Sequence, residues 1–176
     1  MIFKKDWLKF LIGWLTCFVF RLIPFRPPNM EPILATTMPF SKNYGWQASF
    51  VFSFLSIAFF DIFSQKIGIW TLVTGATYGL LGIGSYFYFQ KRKSTALNYL
   101  KYAIVGTIIY DAITGLTVGM LVFKMPFMVA LTGQIPFTIS HLLGNIFFSI
   151  TLSPALYKWV VNNKNLSLDV VLAKIT

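Results

Sequence analysis

The chain has 176 residues, of which 56% are hydrophobic and 11% charged, with a formal net charge of +10. Soluble globular proteins carry about 25% charged residues, so a water-soluble fold of this size has nowhere to bury this much apolar surface. The composition excludes an ordinary soluble enzyme and predicts an all-α integral membrane protein with a single domain, 1–176. The basic excess is accounted for by loop charges that orient membrane helices, so no nucleic-acid partner is inferred. A lone cysteine, Cys17, rules out a disulfide within the chain.

The first apolar run predicts a membrane helix over 6–23. Lys9 and Arg21 interrupt it and no small-residue cleavage site follows, so it does not read as a secretory signal. Both side chains are expected to extend to the lipid headgroups. The stretch 21–40, RLIPFRPPNMEPILATTMPF, then holds five of the eight prolines. Backbone of this kind is tolerated at membrane depth only where protein covers it or where it lines a wet cavity. It reads as the outer mouth of a ligand pocket. Its second half predicts a short helix over 32–40, led by Pro32 with Asn29 or Glu31 as cap.

A polar link at 41–44 leads to a third helix, 45–63, and a turn at 64–66 to a fourth, 67–89, rich in Gly75, Gly79, Gly82 and Gly84. The loop 90–95 carries Lys91, Arg92 and Lys93, and Ser94 or Thr95 can cap the fifth helix, 96–123. The apolar segment 124–133, bounded by Pro126 and Gly133, reads as a lid over the pocket or as a loop resting on lipid. A sixth helix, 134–161, precedes a polar tail. Six transmembrane helices with both termini cytoplasmic put Lys4, Lys5, Lys9, Lys42, Lys91, Arg92, Lys93, Lys101, Lys158, Lys164 and Lys174 inside. Arg21, Arg26, Lys66 and Lys124 then lie outside, eleven against four, the bias expected of cytoplasmic loops.

The chain has no phosphate-binding G-x-x-x-x-G-K-[ST] loop, no H-E-x-x-H and no Cys/His cluster, so no metal, cofactor or catalytic role is expected. Ser140 and His141 are sequence neighbours and point to different helix faces. The candidate substrate-binding residues are polar groups in the outer half. Asp111 stands in an apolar run, either as a ligand contact or ion site, or as a buried pair with Arg21 or another base, or as a protonated acid bonded to a neighbouring helix. Gln134, Thr138, His141 and Asn145 form a polar stripe, suited to a ligand or to bonding between helices. Arg26, Asn29 and Glu31 belong to the mouth, where the helix start also favours a carboxylate or phosphate. Trp70 can stack on a flat ligand. Asp61 and Lys66 read as a surface ion pair. The spacings Gly75/Gly79, Gly115/Gly119 and, more weakly, Gly13/Cys17 allow close helix approach.

Three segments, RPPNMEPILATTMPF after the first helix, YDAITG at 110–115 and PFTISHLLGN at 136–145, are similar to stretches of S-component-like membrane proteins. The whole chain resembles the substrate-binding S component of energy-coupling factor (ECF) vitamin transporters. That resemblance implies a prokaryotic plasma-membrane protein. It would capture a vitamin or related micronutrient from outside and deliver it through a transmembrane coupling subunit driven by two ATPase subunits. The family's helix-1 docking pattern of spaced alanines is replaced here by Gly13-x-x-x-Cys17. A non-transporting membrane scaffold acting through the glycine faces is the alternative. An enzyme built on Asp111 and His141 requires those two side chains to be adjacent.

Overall fold

The computed structural model describes residues 2–27 and 29–172. Of the charges counted above, Lys174 lies outside the described residues, as does the side chain of Lys4. The described chain is all-helical. Helix α1 is Ile2–Leu22, and the next helical stretch is Ile33–Phe63. Gly45 interrupts that stretch with φ +85° and ψ 171°, a conformation open essentially to glycine alone. Thr37 and Ser53 hydroxyls then meet at 2.8 Å, and the Phe40 and Phe52 rings stack at 4.7 Å. Residues that far apart in one straight helix would be separated by roughly 20 Å. The stretch is therefore a hairpin of two antiparallel arms, α2 (33–44) and α3 (46–63). Then follow α4 (Ile69–Gln90), α5 (Ala96–Leu121), α6 (Phe127–Val161) and the short α7 (Leu168–Leu172).

Ala96–Leu121, Phe127–Val161 and the stretch Ile33–Phe63 are long and apolar enough to cross a membrane, the length of the last being divided between its two arms. The contacts set the direction of each helix. At one end Lys9 of α1 donates to the Val161 carbonyl, Lys42 of α2 bonds the Arg92 carbonyl, and the Phe10 and Tyr44 rings lie 4.8 Å apart. At the other end Arg21 of α1 faces Glu31, which precedes α2, and Asp61 of α3, which in turn accepts from Thr71 of α4. Consecutive helices thus run up and down.

Helix α2 is the axis of the bundle, with every residue from Ile33 to Ser41 buried. Pro39 inside it offers no N–H to the Ala35 carbonyl one turn earlier. The Ser153 hydroxyl of α6 donates to that carbonyl at 2.7 Å. The polar face of α2 is otherwise matched within the core: Ser41 meets Ser85 of α4 at 2.7 Å, as Thr37 meets Ser53. Gly75 and Gly79 seat the Phe54 and Phe50 rings of α3, and Gly13 seats Phe40 and Phe52.

Several expectations are corrected here. The second helix does not stop at residue 40; Ser41–Lys42–Asn43–Tyr44 continue it, because the reversal needs the conformation that only Gly45 supplies. Pro32 occupies its cap position, and neither Asn29 nor Glu31 caps it. Segment 127–133 is no lid: it forms the first two turns of α6, started by Pro126, and Gly133 is accommodated at a cost of about 1 kcal/mol. Lys9 and Arg21 do not reach outward. Lys9 is buried against Asp6 at 2.9 Å, and Arg21 is part-buried over the Phe60 ring. Asp61 pairs with Arg21 and Thr71 where a pair with Lys66 was expected.

Candidate functional site

The mouth segment enters α2 through Asn29, whose φ of +64° lies in the left-handed region that asparagine tolerates better than most residues. Arg26 donates to the Met30 carbonyl at 3.1 Å and to Glu31 at 3.4 Å, and Arg21 approaches the same Glu31 oxygen at 3.5 Å. Two guanidinium groups therefore hold one carboxylate. Below this gathering lies a hollow of about 70 Å³, lined by Asn29, Glu31, Tyr78, Tyr110, Phe137 and His141. That is room for a few water molecules.

The floor is a chain of three polar side chains from three helices. Asp111 of α5 bonds His141 Nδ1 of α6 at 2.8 Å, and His141 Nε2 lies 3.3 Å from the Tyr78 hydroxyl of α4. With Nδ1–H donating to the carboxylate, Nε2 of a neutral ring accepts the Tyr78 proton. All three residues are buried. The second carboxylate oxygen of Asp111 has no partner, and a buried acceptor left unmatched typically costs about 1–3 kcal/mol.

Behind Asp111 the helix widens into a π-helical turn, Ala112–Thr117. Such turns recur at functional sites. Here the turn brings Gly115 against the Gln134 amide so closely that a Cβ at 115 would collide with it. A second cavity, about 310 Å³, opens beside this turn between Trp70, Thr74, Tyr110, Thr114, Gly115, Gln134 and Phe137. Tyr110 and Phe137 border both spaces, so two aromatic rings partition a polar hollow from an aromatic cleft. The cleft alone reaches the lower bound of small-molecule sites, about 300 Å³.

The nine candidates sort by position. Asn29, Glu31 and His141 line the hollow, and Trp70 and Gln134 line the cleft. Arg26 braces the mouth. Asp111 stands behind His141 and orients it. Thr138 sits 3.4 Å from Gln134 and faces a shallow apolar groove between α5 and α6. Asn145 lies a turn deeper and donates to Thr107 at 2.9 Å. Those two are bonds between side chains, the duller role that a polar stripe can have. Tyr78, Tyr110 and Phe137 were not singled out individually from the sequence. Phe137 precedes His141 by four residues and shares its face, which was the available signal. Comparison with protein-family models, curated proteins and solved structures finds no match to this chain.

Proposed function

We propose that this protein is a substrate-capture subunit of the ECF S-component type, crossing a prokaryotic plasma membrane six times with both termini cytoplasmic. It takes up a vitamin or related micronutrient from outside and hands it on through a coupling subunit and two ATPase subunits. The observation that carries the reading is the convergence of the proline-rich mouth with α4, α5 and α6 on a polar hollow that two shared rings separate from an aromatic cleft. The charge distribution agrees with it. Lys9, Lys42 and Arg92 gather at the end opposite to the hollow, as cytoplasmic charges should.

In this reading the hollow is the resting state. Turning the Tyr110 and Phe137 rings joins the two spaces into one site, and ligand groups replace the water that the polar atoms otherwise need. Docking does not use Gly13 and Cys17, which are both buried within the bundle. The outward face of α1 instead carries Trp7, Leu11, Leu15 and Val19. Native mass spectrometry of freshly extracted protein tests the proposal. A bound small molecule, or co-extracted coupling and ATPase subunits, is expected; neither ligand nor ATPase partner overturns it.

A membrane enzyme is the second reading, favoured by one distance, the 2.8 Å between Asp111 and His141. It requires turnover, so a ligand recovered chemically unchanged after prolonged incubation decides against it. The scaffold reading is weakened because Gly13, Gly75, Gly79 and Gly115 face side chains of this same chain.

A further inference from the structure

The charge and shape of the two adjoining spaces restrict the ligand more sharply than the capture reading does. The cleft is walled by Trp70, Tyr110 and Phe137, with hydrogen-bonding groups from Thr74, Thr114 and Gln134 and no cation. Trp70 stacks on Phe123 at 5.7 Å with an interplanar angle of 24°, which fixes its face. In the hollow the ionisable groups are Glu31, His141 and two tyrosines. Arg21 and Arg26, the nearby guanidiniums, are turned to Glu31, Asp61 and the Met30 carbonyl, and neither lines either space. Around the mouth and floor, three carboxylates, Glu31, Asp61 and Asp111, therefore face two guanidiniums. No cation lines either space, and Arg21, whose Nε and Nη1 lack hydrogen-bond partners, stands outside both. An incoming anion would therefore meet the Glu31 carboxylate in a poorly hydrated space, where like charges repel strongly.

Resting on the capture reading, we propose that the ligand is a planar nitrogen heteroaromatic, neutral or singly cationic, without a carboxylate or phosphate. Its ring enters the cleft between Trp70, Tyr110 and Phe137, with Gln134 bonding the ring edge. A small donor substituent, an amino or hydroxymethyl group, passes the Tyr110–Phe137 partition into the hollow and donates to Glu31 or to Asn29. A cationic ring gains further from the aromatic faces. This selection is opposite to the carboxylate or phosphate preference expected from the helix start alone. The difference arises because Pro32 begins α2 and Glu31 occupies the space before it.

The test uses matched pairs that differ only in the anionic group, added to the full chain in detergent: nicotinamide and nicotinate, pyridoxine and pyridoxine 5′-phosphate, thiamine and thiamine monophosphate. Thermal midpoint and tryptophan fluorescence are read together. At least one neutral or cationic member is expected to raise the midpoint by about 5 °C at a hundredfold excess over its Kd, with its anionic twin inert. Thr74→Lys and, separately, Gln134→Lys place a cation in the cleft and should shift the affinity ratio of that pair toward the anion by at least about tenfold. An anionic twin that binds as tightly as its partner overturns the proposal and leaves capture standing. If no pair binds, the small molecule extracted with the protein decides. A planar heteroaromatic without an anionic group supports the proposal. A carboxylated, phosphorylated or non-aromatic one overturns it, and no ligand by either route overturns capture as well.

Discussion

The two ends of the bundle bury charge in opposite ways. At the end holding Lys9, the ammonium reaches both the Asp6 carboxylate at 2.9 Å and the Val161 carbonyl at 3.2 Å, and Phe10, Phe40, Tyr44 and Phe52 fill the space around it. At the end holding His141, the polar side chains surround a void, and an oxygen of Asp111 is left without a partner. Evolution of a packed core removes voids and unmatched polar atoms alike, because each is destabilising. Unmatched polar atoms occur at both ends, Ser94 and Tyr99 carrying them at the Lys9 end. The void at the His141 end, beside a seal of aromatic rings at the other, is therefore what sets the ends apart. It fits the capture proposal, in which the His141 end opens and the Lys9 end stays shut.

The largest effect that separates the two ends is expected from Lys9→Met. It keeps most of the side-chain volume and removes the charge, leaving the Val161 carbonyl without its side-chain donor and Asp6 without its ammonium partner. Breaking a mostly buried pair from one side costs about 3 kcal/mol. The unfolding midpoint in detergent should fall by several degrees while ligand affinity stays unchanged. A loss of affinity without a loss of stability would dissolve the distinction between the ends.

Gly45→Ala comes next. Holding a residue with a Cβ at φ +85° and ψ 171° costs about 2 kcal/mol. The hairpin of α2 and α3 is closed by this residue, so the same loss should appear in thermal unfolding, with Thr37 and Ser53 separating. Unchanged stability would mean that the reversal tolerates another conformation.

Much of this architecture was legible beforehand. Hydrophobic run lengths and breakers located the six principal helices to within a few residues, except at 41–44 and 124–133. Both exceptions have one cause. A polar or glycine-containing segment looks like a loop until its tertiary partners are known, and Ser41 has Ser85 while Gly133 sits in a helix already begun at Pro126. The fates of Lys9 and Arg21 were hidden for the same reason. Snorkelling and burial leave identical sequence traces, and only Val161 and Asp61, far along the chain, decide between them. Asp111 and His141 were recognisable as expensive residues. Their 2.8 Å bond was not, since register between two helices is set by packing, and the π-helical turn after Asp111 has no clear sequence signal.

Asp111→Asn sharpens the comparison at the open end. The amide keeps the shape and removes the charge that holds the His141 ring, so the imidazole and the Tyr78 hydroxyl lose their fixed order. Hydrogen bonds to charged groups contribute about 1.5–3 kcal/mol, of which the ligand should register at least a tenfold weakening. Thermal stability without ligand should change little, because a buried charge with one unpartnered oxygen is exchanged for a neutral amide with one unpartnered group. A variant that binds normally but unfolds early would place Asp111 with Lys9, as a structural charge.

Asn145→Ala probes the border between the ends and should have the smallest effect on binding. Its amide donates to Thr107 at 2.9 Å, a turn below the hollow, while its own carbonyl oxygen is unpartnered. Removing the side chain therefore deletes one bond and one unmatched acceptor together, for a net destabilisation of about 1 kcal/mol. Affinity should move by less than about twofold, since neither the hollow nor the cleft includes this residue. A much larger loss of affinity would show that the occupied site extends a full turn deeper than the resting hollow. The seal at the Lys9 end would then begin only below Thr107.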